Sequence, residues 1–402
     1  MKDLGHGFSA GGGVTISARC ALLSNLVTLP SCLIADLAAT HARPPRCLDT
    51  TRYHAYDRVM VAGERNEAHV TWRHRSIEEK ELILQKEINQ VVETAEGIVF
   101  MGLAYSPGDI GAAVGNLYRL APGGSSGDQA IPILSTNDAL RVLWTSPAGH
   151  LWVGSADGRV GTTAPTGWAV PSGDLGYEVL NGGPAWTVSA LPRDRSKGLP
   201  PNVTALWGCA DDDVHVGARG GHMYYWDGER WTQTRDGDGT AAQTIRTIRG
   251  HASDDVYAVG AVDTLLHFDG QQWSNLPIPG TPTEGESLGG IALLPEKSVM
   301  ICASGVQGRL LHGSAAGFAE FGRYAMPLND VATLGDRLLF AVWNGVAELF
   351  GRDVRIVKDN FKTAGAFEGR GRVFFTEPAA PRMQYIVHDP AKEMTPWTRS
   401  KF

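Results

Sequence analysis

Residues 206–231 read LWGCADDDVHVGARGGHMYYWDGERW, and residues 248–273 read IRGHASDDVYAVGAVDTLLHFDGQQW. Set against each other at a spacing of 42 residues, they match Gly208 with Gly250, Val214 with Val256, Asp227 with Asp269, Gly228 with Gly270 and Trp231 with Trp273. Coincidences of such distinctive residue types mark an internal repeat, and a repeat decides the architecture before anything else does. Within the second copy, Val256-Tyr257-Ala258-Val259 is a short apolar run rich in β-formers, closed by Gly260. Leu265-Leu266-His267-Phe268 reads as the next strand, Asp269-Gly270 as a tight hairpin turn, and Trp273 as the start of an outer strand. Glycine suits that turn because it reaches positive φ without a steric penalty.

Working outward, a third copy begins at Leu143 with LWTSPAGHLWVGSADGRV. Here Trp144, Gly154, Gly158 and Trp168 match Trp207, Gly217, Gly221 and Trp231 at a spacing of 63. The extra 21 residues fall in 171–200, rich in Gly, Pro and Asp, which reads as a loop insertion between repeats. Weaker copies occupy 91–120, 288–312, 328–350 and 364–388. Strand-like text in 57–88 (DRVMVAG, HVTWRH and ELILQKEI) supplies a further blade or completes the last one.

Each unit is thus a small antiparallel sheet of three or four strands that cannot cover both its faces alone. Neighbours must stack on it. Radial stacking gives an all-β fold, a β-propeller, and the seven units from residue 91 onward predict seven blades, with six or eight as alternatives. A solenoid is the competing architecture, but its repeats are usually shorter. The chain reads as a single β-propeller domain over 1–402, with 1–56 an irregular segment that closes the ring.

His150-Leu151-Trp152-Val153-Gly154 with Gly158 resembles the LWVGT..G repeats of two-component-regulator-type propellers. The unit Asp255-Val256-Tyr257-Ala258-Val259-Gly260, His267-Phe268-Asp269-Gly270 and Trp273 is similar to repeats of bacterial YVTN/BNR-like propeller proteins. The resemblance is close over about 140–275, looser elsewhere, and implies a fold rather than an activity. WD40 repeats fit less well, because Gly250-His251 and Trp226-Asp227 do not recur in WD40 order. A sialidase-type Asp box fails as well, since Pro147 stands where the aspartate belongs between Thr145 and Trp152.

The chain has 402 residues, 36 Lys+Arg against 43 Asp+Glu, and a formal net charge of −7, which argues against a generally basic nucleic-acid binder. The 49 glycines and 11 tryptophans suit short strands and tight turns. Five cysteines (Cys20, Cys32, Cys47, Cys209 and Cys302) are odd in number, widely spaced and without a CxxC pair, so they read as free thiols. A Cys20–Cys32 or Cys32–Cys47 disulfide is the alternative for an exported form. No clean signal segment or spanning apolar stretch is evident, and Asn202-Val203-Thr204 is a glycosylation sequon only in a secretory setting. The expected location is cytoplasmic, with periplasmic or secreted forms as alternatives.

No complete catalytic motif emerges, and no cofactor or metal is expected. Gly123-Gly124-Ser125-Ser126-Gly127 matches GxSxG, but its flanks read as loop and not as the strand and helix of a nucleophile elbow. Asp211-Asp212-Asp213 and Asp254-Asp255 precede a strand in equivalent units, which argues for a turn role over acid–base or calcium chemistry. Asp236-Gly237-Asp238-Gly239 resembles part of a calcium loop but lacks the later ligands. His215, His222, His267 and His312 lie near strands of different units and read as structural.

Tryptophans at repeat positions read as packing between blades. Trp186 and Trp343 break the repeat and are the candidate exposed contacts, with Arg193, Asp194 and Arg195 of the insertion as further binding candidates. The charged run from Arg73 to Lys86 is a helix or a solvated hairpin. The function expected is binding of a protein partner, as scaffold, sensor module or toxin-neutralising immunity protein, by a chain that is monomeric beforehand and engages neither nucleic acid nor membrane. A carbohydrate-binding or carbohydrate-active propeller is the alternative, signalled by two or three carboxylates with an exposed aromatic in a central depression. A metal-dependent lyase or lactonase, requiring histidines and carboxylates converging on the axis, comes third.

Overall fold

The strand Asp255–Gly260 carries five consecutive buried residues after its first, as a β-rich run sheathed on both faces must. It pairs antiparallel with Ile245–Ala252 on one side and with Leu265–Phe268 on the other, and Trp273–Asn275 follows as the outermost strand. The unit 42 residues earlier repeats this meander with Val203–Ala210, Asp213–Ala218, Met223–Trp226 and Trp231–Arg235. Gly228 and Gly270 have φ of 89° and 88°, the conformation their hairpin turns require. Asp227 Oδ1 accepts the amides of Glu229 and Arg230, and Asp269 Oδ1 those of Gln271 and Gln272.

The computed structural model describes residues 56–62, 68–74, 85–106, 109–120, 130–169, 176–193, 200–240, 243–261, 264–378 and 383–402. All belong to the compact unit Ala38–Phe402. The ring-closing role expected of 1–56, Cys20, Cys32 and Cys47 and the Gly123–Gly127 motif fall outside the described residues.

Seven antiparallel sheets form the blades. Blade 1 comprises Gln85–Thr94, Gly97–Ser106, Asp109–Leu120 and Ile131–Thr136. Blade 2 comprises Leu140–Thr145, Leu151–Ser155, Arg159–Thr162 and Thr187–Ala190. The two units just described are blades 3 and 4. Blade 5 comprises Ser287–Leu293, Val299–Ser304, Gly308–Ser314 and Gly317–Tyr324. Blade 6 comprises Asp330–Leu334, Arg337–Val342, Gly345–Phe350 and Asp353–Asp359. Blade 7 comprises Gly365–Glu368, Val373–Thr376, Gln384–His388 and Trp397–Lys401. The first strand of each blade touches the first strands of its neighbours, and that of blade 7 touches that of blade 1, so the ring closes. A buried apolar cluster fills every blade-to-blade interface. The protein is a seven-bladed β-propeller.

Tyr56–Ala62 and Ala68–His74 pair with each other as a separate two-stranded sheet. Residues 171–200, read as a loop, contribute two strands where they are described. Tyr177–Val179 adds a fifth strand to blade 1, and Thr187–Ala190 is the outermost strand of blade 2. Trp168 keeps its repeat position ahead of the insertion, edge-on to Trp152 at 5.6 Å and to Trp226 of blade 3 at 4.8 Å. The tryptophans matched by the repeat pack between blades 2 and 3, with Trp207 and Trp273 between blades 3 and 4.

Candidate binding face

In a four-stranded meander the chain turns alternately at the two ends of the sheet. One end of each blade therefore carries the loop between its second and third strands together with the connections from blade to blade. Where they are described, these segments are tied to each other by backbone hydrogen bonds. Ala156 N donates to Ala139 O, Arg219 N to Asn202 O and Gly239 N to Gly220 O. Ala261 N donates to Thr244 O, Val306 N to Glu284 O and Ala364 N to Thr376 O. Thr363, fully buried, donates its hydroxyl to Val342 O at 2.9 Å or Gly345 O at 2.6 Å. Hydrogen bonds of this kind restrain the described loops of the face, which lowers the ordering cost of binding there.

Among the described residues two large apolar side chains stand out from this face. Val306, in the loop between the second and third strands of blade 5, is 68% exposed, and Trp343, in the equivalent loop of blade 6, is 42% exposed. The Lys362 ammonium lies 4.4 Å from the Trp343 ring centroid, a cation–π distance. Beside it, the Arg399 guanidinium lies 5.8 Å from the ring of half-buried Phe361 and its Nη2 donates to Glu377 Oε1 at 3.4 Å. Burial pushes the Glu377 carboxyl up, against the pull of Arg399.

Under the connection from blade 4 to blade 5, Ile278, Pro282, Thr283, Glu286, Ser287 and Leu288 line a small pocket. Arg309 anchors its wall: the fully buried guanidinium donates to Glu286, to Pro279 O at 2.6 Å, and pairs with Glu320 at 3.5 Å. A buried cation held from three sides is a structural pin and not a free ligand-binding group.

The opposite face carries the aspartates of blades 3 and 4. Asp211 lies in the turn between the first two strands of blade 3, and its carboxylate also clamps two blades: it accepts Trp152 Nε1 at 2.9 Å and meets His150 Nδ1 at 2.6 Å, both from blade 2. Burial raises its carboxyl, but these bonds outweigh burial and hold it below the usual range. Asp255 pairs with His267 at 3.0 Å. Asp236 and Asp238 belong instead to the connection from blade 3 to blade 4, on the face of the connections, where they bond Gln233 and Thr240 and stabilise that loop.

The histidines do not converge. His215 is fully buried among Trp207, Tyr225, Phe268 and Trp273, with Nε2 3.7 Å from Asp213 Oδ1, too far for a hydrogen bond. Burial lowers its pKa to about 4, so it is neutral. His312 is exposed on blade 5 and His222 bonds Gln233 and the Gly237 amide. Among the described residues no group of three or more His, Cys, Asp or Glu side chains is placed to hold a metal ion. Cys302 is buried and Cys209 half-buried, both as free thiols.

Of the binding candidates read from sequence, Trp343 is exposed. Trp186 is corrected. It is 1% exposed and sits in the core between blades 1 and 2 with Leu134, Val153 and Tyr177, because the insertion folds back over that interface. Arg193 is exposed in the connection leaving blade 2, while Asp194 and Arg195 lie outside the described residues. Val306 escaped sequence reading, since a single valine in a Gly-Val-Gln loop has no signature. Lys362 escaped it because only folding brings it over Trp343.

No protein-family model matches the chain, and no curated protein sequence matches it. Solved structures do. The chain is similar to YCF48 from Cyanidioschyzon merolae at 13% identity and a TM-score of 0.52, over 77% of this chain and 97% of that one. It is similar to YCF48 bound to D1 peptide at 11% identity and a TM-score of 0.46, over 66% and 82%. A third is the extracellular domain of a one component system from B. thetaiotaomicron, at 12% identity and a TM-score of 0.47. That alignment covers 81% of this chain, which spans 39% of the length of that one. At these identities the likeness shows the propeller fold. The expected cytoplasmic location is corrected: the fold is found in an extracellular domain, and the cytoplasmic reading is dropped. Among the described residues no helix is long and apolar enough to cross a membrane.

Proposed function

We propose that the chain binds a partner protein through the face formed by the blade-to-blade connections. The observation that carries this reading is the exposure of Val306 and Trp343 on adjacent blades of a face otherwise tied together by hydrogen bonds. Exposed apolar groups on a rigid frame suit the anchoring residues of an interface, where aromatic side chains contribute most. The exposed Arg193 belongs to a connection of the same face. Trp343 is faced by a cation and not by paired carboxylates, which favours a protein partner over the carbohydrate reading. Scaffold, sensor module and immunity protein are narrower forms of the same proposal, separated by the partner's identity.

The test is affinity capture of the intact chain from native lysate, followed by mass spectrometry. One protein recovered in stoichiometric amount at moderate salt, and lost with a Val306→Asp/Trp343→Ala variant, is the expected result. Capture unchanged by that variant, or no stoichiometric protein, counts against the proposal.

A further inference from the structure

The surroundings of Trp343 carry a statement about the partner. On the blade 6–7 sector of this face, Lys362 and Lys401 are exposed and enter no salt bridge among the described residues. Arg399 is exposed over Phe361, and Lys358 is half-buried at the end of the outermost strand of blade 6. Among the described residues of the sector two carboxyls stand against these four cations. Asp359 accepts Asn360 Nδ2 at 2.7 Å, and Glu377 is 7% exposed and bound to Arg399. Glu377 also accepts the Lys362 amide and lies within reach of the Lys401 charge, so one carboxyl answers several of these cations. The sector is therefore locally positive on a chain whose formal net charge is −7. Its cations border two aromatic rings, Trp343 and Phe361.

We propose that this sector receives an acidic segment of the partner protein, with an apolar side chain of that segment covering Trp343 and its carboxylates meeting Lys362, Arg399 and Lys401. The proposal rests on the protein-binding reading and deepens it. Charge complementarity selects the occupant: opposite potentials favour encounter and disfavour basic segments. A nucleic acid would also meet cations and rings. Its continuous phosphate charge, however, is repelled by the acidic remainder of the chain, whereas a short acidic segment touches the positive sector alone.

The test uses two short labelled peptides, one of repeated Glu-Leu-Gly units and one of repeated Lys-Leu-Gly units, titrated against the full chain by fluorescence anisotropy. The expected result is that the acidic peptide binds at least about tenfold more tightly than the basic one. Binding should weaken by about tenfold or more in Trp343→Ala and in Lys362→Glu, and weaken as salt is raised. Lys362→Glu alters an exposed side chain, so it tests the proposal even if the tryptophan variant perturbs the loop. Equal affinity for the two peptides, indifference to both substitutions, or preferred binding of a single-stranded oligonucleotide would each overturn it. Capture of a stoichiometric protein together with any of those results leaves the protein-binding reading standing and removes this assignment alone.

Discussion

His215 shows how a single residue can be chemically conspicuous and still be structural. Four aromatic rings enclose it, and both ring nitrogens lack a hydrogen-bond partner. Burial holds its pKa at about 4, against 6.5 when solvated. A depressed folded-state pKa means that the unfolded chain binds the proton first. Stability from the neutral imidazole is thus complete above pH 6.5 and is lost as pH falls toward 4, by roughly 3 kcal/mol at the lower end. Urea denaturation across that range should show His215→Phe losing less stability on acidification than the wild type. Parallel pH profiles would contradict the assignment. The residue type was visible in sequence, but its enclosure was not, because Phe268 and Trp273 come from the next blade.

At the scale of strands and turns, the repeat was legible because its recurring residues answer local demands. Gly154 and Gly217 match in sequence, and each seats the first residue of the next blade. A Cβ on Gly154 would lie 2.3 Å from Val203 Cγ1, and one on Gly217 would lie 2.4 Å from Ile245 Cγ2. Gly208 is equally constrained, its would-be Cβ 2.1 Å from the Asp213 carbonyl. Overpacking so close a contact typically costs about 1–3 kcal/mol. Gly217→Val should therefore lower the urea midpoint, whereas Gly335→Ala, at a turn with open space, should act only through its positive φ and cost less. An equal midpoint for wild type and Gly217→Val would refute the seating argument. The insertion was legible as an interruption but not as two strands. Tyr177–Val179 is too short to show a period, and its partner Ile131–Thr136 lies far back in the sequence, before the whole of blade 2. For the same reason Trp186 read as surface: the local text gave no sign that it folds back into the core.

For the whole molecule, the seam between blades 7 and 1 is the critical interface, because the described blades are each built from consecutive strands with one borrowed strand at blade 1. Side chains close the ring there. Phe100 stacks with Phe402 at 4.8 Å and meets Tyr385 edge-on at 6.0 Å. Glu93 accepts the Arg370 amide at 2.8 Å and a forked pair of bonds from Arg372. Burial raises the Glu93 carboxyl, but the arginine bonds outweigh it and keep it ionised below its ordinary value of 4.5. Removing it leaves Arg372 without its partner, a loss of about 1–3 kcal/mol for a charged, partly buried hydrogen bond. Glu93→Ala should thus melt earlier than wild type at neutral pH, and the gap should narrow as acid protonates Glu93 in the wild type; a constant gap down to acidic pH would argue against the clasp.

A closed, seven-bladed ring holds its loop face rigid enough to present Val306 and Trp343 as fixed anchors. The most direct measurement of that claim is quantitative capture from native lysate with three forms in parallel: wild type, Val306→Asp/Trp343→Ala, and Glu296→Lys at the opposite end of blade 5. The prediction is one stoichiometric protein on the wild type and on Glu296→Lys, and its loss from the double variant. Equal recovery on all three, or loss on Glu296→Lys alone, would contradict it.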